Sequence, residues 1–210
     1  MRTLCTQQII SQIKKLTLCN RCAALFLYYA ISIDNTILPD LGKISSEQSK
    51  ATTNTAKQVA KLLNYLASNP QAEIQYRSSG MKLAIHSDAS YISVAQSRSR
   101  ASGVHFLTES PPEPNNPEDL VPTTNGILLV VCKIMRNIMA SAAEAKYGNI
   151  FVNEQTAVPI LNTLSEMGWK KGPTPIQVYN STSVGIATKE LLQKKSKATD
   201  MWFYCMNDRT

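Results

Sequence analysis

This sequence lacks a cysteine framework, a membrane-length apolar run and any internal repeat, and each absence removes a class of protein. Its five cysteines, Cys5, Cys19, Cys22, Cys132 and Cys205, are odd in number and irregular in spacing. That argues against a disulfide-stapled secreted scaffold and for a reducing compartment. Cys19 and Cys22 form a lone C-x-x-C pair, and zinc would need a second ligand pair. The chain's two histidines, His86 and His105, do not stand at finger-like spacing from it. The apolar run Cys22–Ile33 is too short to cross a bilayer, and extending it back to Leu16 takes in Asn20 and Arg21, which are costly in lipid. A signal peptide there would have an unusually long front end carrying Arg2, Lys14, Lys15 and Arg21. These features predict an intracellular protein, in cytoplasm or nucleus, that is neither secreted nor held in a membrane.

Acidic residues are also scarce. Fifteen of them against 22 Lys and Arg leave a net charge of +7, with a pI near 9.2. Such an excess favours a polyanionic partner, nucleic acid first among them, although a solvated surface explains it equally well. Hydrophobic residues at 43% can supply a core. A chain of 210 residues has room for one full domain and an extension.

Three regions follow from pattern. Residues 1–25 show only a short basic, amphipathic stretch. Residues 26–72 predict a helical connecting segment. Thr52, Thr53 and Asn54 are N-cap types, Val59, Leu62, Leu63 and Leu66 follow at helical spacing, and Asn69-Pro70 ends the helix. Residues 73–210 change period. Strands are expected at 82–88, 102–108, 127–131 and 176–179. Between the second and third lies a Pro-rich loop, Pro111 to Pro117 with Pro122 beyond. A long helix is expected from Ser141 to about Thr156, with Pro159 kinking it or opening a second segment that ends at Gly168. Two short helices are expected around 183–194 and 198–207. Three strands, a crossover helix and a fourth strand describe an α/β fold with a mixed sheet and packed helices.

Two carboxylates stand out. Asp88 ends the first strand within His86-Ser87-Asp88-Ala89-Ser90-Tyr91. Glu144 shares a helical face with Tyr147 and Phe151, the face that should lie on the sheet. A carboxylate on an apolar stripe is costly unless paired or metal-bound. Each also has an ordinary explanation: Asp88 as a turn or cap residue, Glu144 as a first-turn acid favoured by the helix dipole.

The surrounding phrases give these two a context. His86-Ser87-Asp88-Ala89-Ser90-Tyr91, Arg98-Ser99-Arg100-Ala101-Ser102-Gly103, Ser141-Ala142-Ala143-Glu144-Ala145, Tyr179-Asn180-Ser181-Thr182 and Ser196-Lys197-Ala198-Thr199-Asp200-Met201 occur in this order. In order and spacing the chain resembles the ribonuclease H domain of copia-type retrotransposon polyproteins, from about Leu25 to Arg209. Leu27-Tyr28-Tyr29-Ala30 and the helix over 56–67 resemble the segment that connects the polymerase to that domain. The resemblance implies a ribonuclease H-like sheet of three antiparallel strands and a parallel fourth. It also implies cleavage of the RNA strand of RNA–DNA hybrids by two ions, Mg2+ or Mn2+, held by a cluster of acids. Asp88 matches the family's first-strand aspartate and Glu144 its helix glutamate, so the resemblance makes both catalytic metal ligands.

Departures from the family pattern are equally specific. Where the family's fourth strand ends in Asp-Asn, this chain has Tyr179-Asn180, and a neutral phenol is a poor magnesium ligand. Asp200 falls in a phrase that matches a helix start. The family's next strand and helix, the latter carrying the last acid, would come after Thr210, so a C-terminally truncated domain with two of four carboxylates is expected. From this we expect weak metal binding and impaired or absent cleavage. An exposed edge at Ile176–Tyr179 would favour low stability or self-association. The other readings are a non-catalytic nucleic-acid-binding or interaction module, and a decayed fragment without function. The aromatic-x-Asp-Asp signature of a polymerase palm is absent. Lys170-Lys171 and Lys189, Lys194, Lys195 and Lys197 are candidates for phosphate contact or for a solvated face.

Overall fold

In the computed structural model the backbone is described for residues 2–109, 123–169, 172–180 and 184–185, and side chains from residue 17 onward. The Pro-rich loop, Lys170-Lys171 and, but for residues 184–185, both short C-terminal helices expected from sequence lie outside the described residues. The chain divides into two compact units, Met1–Ile74 and Gln75–Thr210.

In the first unit one long helix, α1, spans Arg2–Ser32. The boundary expected at 25/26 therefore falls inside a helix, and residues 2–25 are helical. The segment contains neither proline nor glycine, so nothing in it stops a helix once started. Its pattern was obscure because the buried face is made of small residues. Cys19, Cys22, Ala23 and Ala30 are buried, while Leu25 and Tyr28 are exposed. Helix α2 (Leu38–Ser46) buries Leu41 and Ile44. Helix α3 (Thr53–Ser68) begins on a capping box: Thr52 Oγ1 accepts the Thr55 N–H at 3.2 Å, and the Thr52 N–H donates to Thr55 Oγ1 at 3.1 Å. These bonds satisfy donors that a helix start leaves free. Val59 and Leu62 enter the core formed with Cys19, Cys22, Ile37 and Ile44, with Leu66 packed beside it. Leu63 stays 40% exposed.

The second unit holds a four-stranded mixed sheet in the order β3-β2-β1-β4. Strands β1 (Lys82–Val94), β2 (Arg98–Thr108) and β3 (Ile127–Ile134) are antiparallel neighbours, and β4 (Ile176–Val178) pairs parallel to β1. The first hairpin extends well beyond the expected 82–88 and 102–108, through the mixed segment from Ser90 to Arg100. Period-2 reading misses this extension because its pairing is irregular between Ser90 and Val94, where Ile92 takes a positive φ of 49°. At its tip, in the three-residue connection between the paired Val94 and Arg98, Gln96 and Ser97 take positive φ angles of 62° and 54°, a conformation that Asn and Gly adopt more readily.

Helix α4 spans Ala142–Glu166 with Pro159 inside it, so Pro159 does not open a second segment. Thr163 Oγ1 donates to the Pro159 carbonyl at 3.0 Å in the turn that follows. Gly168, at φ 92°, ends the helix, with Gly168 N–H to the Ser165 carbonyl and Trp169 N–H to the Leu164 carbonyl. Strand alternation sends Leu83, Ile85, Ser87 and Ala89 towards α4. Leu83 and Ile85 meet Ala157 and Leu164, while Ala89 meets Ala145, Met135 and Met139. The helix start therefore lies at the Ala89 end of β1. No helix among the described residues is long and apolar enough to cross a membrane.

Replacing Gln96-Ser97 by Asn-Gly, residues that accept positive φ without penalty, should stabilise the second unit by about 1 kcal/mol. The expected outcome is a higher urea midpoint with an unchanged slope.

Candidate active site

Both sequence candidates flank the Ala89–Ala145 contact: Asp88 precedes Ala89, and Glu144 precedes Ala145. The fold thus brings the two segments to one end of the sheet, but each acid has a partner of its own. The Asp88 side chain is 59% exposed, and its Oδ1 lies 3.0 Å from Lys146 Nζ. Ser87 is the last β1 residue paired with β4, opposite Val178, so no fourth strand borders Asp88. Continuing that register by one residue sets Tyr179 level with Asp88. Its side chain is 69% exposed.

Glu144 is buried and occupies the third position of α4 after the N-cap Ser141. Its N–H donates to Ser141 Oγ at 3.1 Å, and its Oε2 accepts the Ala140 N–H at 2.6 Å. This reciprocal arrangement is a variant of the capping box, shifted by one residue on the return bond. Tyr147 beside it is buried, and burial first, then the charge of Glu154, pushes its phenol up to about 12.

A polar core that the sequence did not announce lies behind Asp88. Asn149 Nδ2 stands 2.8 Å from each of Ser87 Oγ, the Asp88 carbonyl and the Ser102 carbonyl. One turn later Asn153 Nδ2 reaches the Asn149 carbonyl at 3.0 Å, and Ser87 Oγ and the Ser102 carbonyl at 3.2 Å. An amide nitrogen has two hydrogens, so some of these bonds are shared. Gly103 makes room for them: a Cβ there would sit 1.8 Å from Asn153 Oδ1. His105 is fully buried with Nε2 3.3 Å from the Asn153 carbonyl. Desolvation holds its pKa below the ordinary histidine value, partly countered by bonds to the Asn153 and Leu129 backbone. The signal available beforehand was the pair of asparagines at i, i+4 on the sheet-facing side of a helix, where burial demands partners.

The side chains present do not fit the pair of divalent ions implied by the resemblance. Asp88 already carries an ammonium group, Glu144 caps its helix, and a phenol stands at the third position. Among the described residues no group of three or more His, Cys, Asp or Glu side chains converges. None of the protein-family models, curated proteins or solved structures compared with the chain matches it.

Two outcomes follow from the polar core. Gly103→Ala should destabilise by about 1–3 kcal/mol through overpacking, and adding Asn153→Ala should recover part of that loss in a double-mutant cycle read by urea unfolding. Burial also lowers the pKa of His86. For both histidines the unfolded chain takes up protons first as pH falls. Stability is therefore complete above about pH 6.5 and declines below it. Unfolding free energies measured from pH 7.5 down to 5 should show this decline, and His105→Gln should flatten it.

Proposed function

We propose that the second unit is a ribonuclease H-like domain of retroelement ancestry, which engages RNA–DNA hybrid or other nucleic acid and cleaves hybrid poorly or not at all. The observation that carries this proposal is the sheet itself. A strand parallel to β1 joins an antiparallel β1-β2-β3 set, and that strand ends opposite Ser87, one residue short of Asp88. That is the strand arrangement and order implied by the phrases quoted from the sequence. The net charge of +7 suits a polyanionic partner.

On this proposal Asp88 and Glu144 are retained positions of an ancestral acidic cluster. Magnesium or manganese binds there weakly, because Tyr179 adds no charge and Lys146 already neutralises Asp88. A nucleic-acid-binding module that keeps the fold without the cut is favoured over a working nuclease by that same ion pair. The test uses a labelled RNA–DNA hybrid with magnesium or manganese and compares the unmodified chain, Tyr179→Asp, and Tyr179→Asp with Lys146→Ala. We expect anisotropy to show hybrid binding by all three, no cleavage by the first, and activity, if any, only in the last. Metal-dependent cleavage by the unmodified chain, abolished by Asp88→Asn, would overturn the impaired reading. Loss of all hybrid binding would overturn the nucleic-acid reading.

A further inference from the structure

We infer a second nucleic-acid contact at the opposite end of the sheet from Asp88: a cleft between Tyr76 and Trp169 that takes one unpaired nucleobase, with Arg77 on its phosphate. The cleft has a volume of about 360 Å³ and belongs wholly to the second unit. Met81 and Leu107 supply apolar surface within it, and no acidic residue lines it. It borders the start of β1, so along that strand it lies roughly 20 Å from Asp88 at ~3.3 Å per residue.

Both aromatic walls are held from the backbone. The Tyr76 hydroxyl donates to the Ile127 carbonyl at 2.9 Å. Its ring lies so close to Gly126 that a Cβ there would meet Tyr76 Cδ1 at 2.4 Å. The strap carrying Tyr76 is fastened by Asn125, whose Oδ1 accepts the Arg77 N–H at 2.8 Å and whose Nδ2 donates to the Arg77 and Leu107 carbonyls at 2.9 Å. Trp169 is set by the left-handed glycine that closes α4, with its N–H bonded to the Leu164 carbonyl. Despite this anchoring Trp169 remains 45% exposed and Tyr76 65% exposed. A tyrosine ring fixed from behind, beside a half-exposed indole on an anchored backbone, forms a stacking platform at little further entropic cost.

The charge distribution selects the occupant. Arg77 is exposed, and the ion pair found among the described residues is that of Lys146 with Asp88, so the Arg77 guanidinium has no acidic partner there. An apolar ligand, or a peptide without a carboxylate, would leave that cation unused, whereas a nucleotide uses ring and cation together. In sequence two more cations, Lys170 and Lys171, directly follow Trp169. We assign the base to a single strand rather than to a free nucleotide, because a basic chain gains affinity from each further phosphate.

The contact is independent of cleavage chemistry, and its test separates it from the site at Asp88. The full chain is titrated into a short labelled oligothymidylate, an abasic strand of equal length and, as competitor, free thymidine monophosphate. The base-containing strand should bind more tightly than the abasic one. Trp169→Ala should weaken its binding about 5- to 150-fold, the range expected for losing one stacked base. Trp169→Phe, which keeps a ring, should lose less. Circular dichroism of each variant establishes that it is folded. Equal binding of the abasic strand, or unchanged binding by a folded Trp169→Ala chain, would overturn the inference. Competition by the monophosphate at the oligonucleotide's own affinity would overturn its assignment to a strand.

Discussion

Two asparagine side chains on one helix face set the geometry on which the second unit depends. Asn149 and Asn153 reach across from α4 to Ser87, to the Ser102 carbonyl and, from Asn149, to the carbonyl of Asp88 itself. A net gain of about 1 kcal/mol per bond is modest. Leaving these acceptors buried and unpaired would be worse, at about 1–3 kcal/mol each. The network therefore acts mainly against wrong registers, because sliding α4 along β1 strands every one of its members. Gly103 is part of the same constraint, since only a residue without Cβ admits the Asn153 amide. The position of Asp88 is thus fixed through its backbone, by Asn149 and by the Ser102 hydroxyl at 2.7 Å, while its carboxylate stays free to choose a partner.

That freedom makes charge the deciding quantity at the candidate site. In the Lys146–Asp88 pair the carboxylate is 59% exposed and the lysine 21%, and a pair this open to solvent contributes about 1 kcal/mol. A single cation could displace Lys146 at small cost, so the pair alone would not exclude metal. On the proposed function, the charge that Asp88, Glu144 and Tyr179 supply is what disfavours two ions. Two divalent ions at about 4 Å repel each other by roughly 4 kcal/mol even at the dielectric constant of water, four times the unit-charge value. Two carboxylates, one also occupied as a helix cap, are a poor counterweight to four positive charges. Tyr179 adds bulk at the next position without adding charge.

Much of the fold was legible because its signals are local. The Thr52 cap, the Ser141 helix start and the apolar strands at Leu83 and Ile127 each depend on a few adjacent residues. The mixed sheet followed from the order of those elements. What escaped was decided by tertiary contact. Helix α1 packs through Cys and Ala, which carry little hydrophobic contrast. The hairpin tip holds Gln96 and Ser97 in a conformation their own propensity does not favour. Pro159 is accommodated inside α4 without ending it. At the site, the sequence singled out Asp88 and Glu144 but not their partners. Lys146 looked like any surface lysine, and Ala140 contributes only a backbone N–H. Asn149 and Asn153 were readable as a pair only once the helix face was known to lie on Ser87 and Gly103.

On the proposed function, the second unit keeps a ribonuclease H-like frame around a site too poor in charge for two divalent ions. Titrating the full chain with Mn2+ and following the free-ion electron paramagnetic resonance signal tests it most directly. The account predicts at most one weakly held ion per chain, with binding diminished by Asp88→Asn and strengthened by Tyr179→Asp with Lys146→Ala. Two tightly bound ions per unmodified chain, both lost on Asp88→Asn or Glu144→Gln, would contradict it.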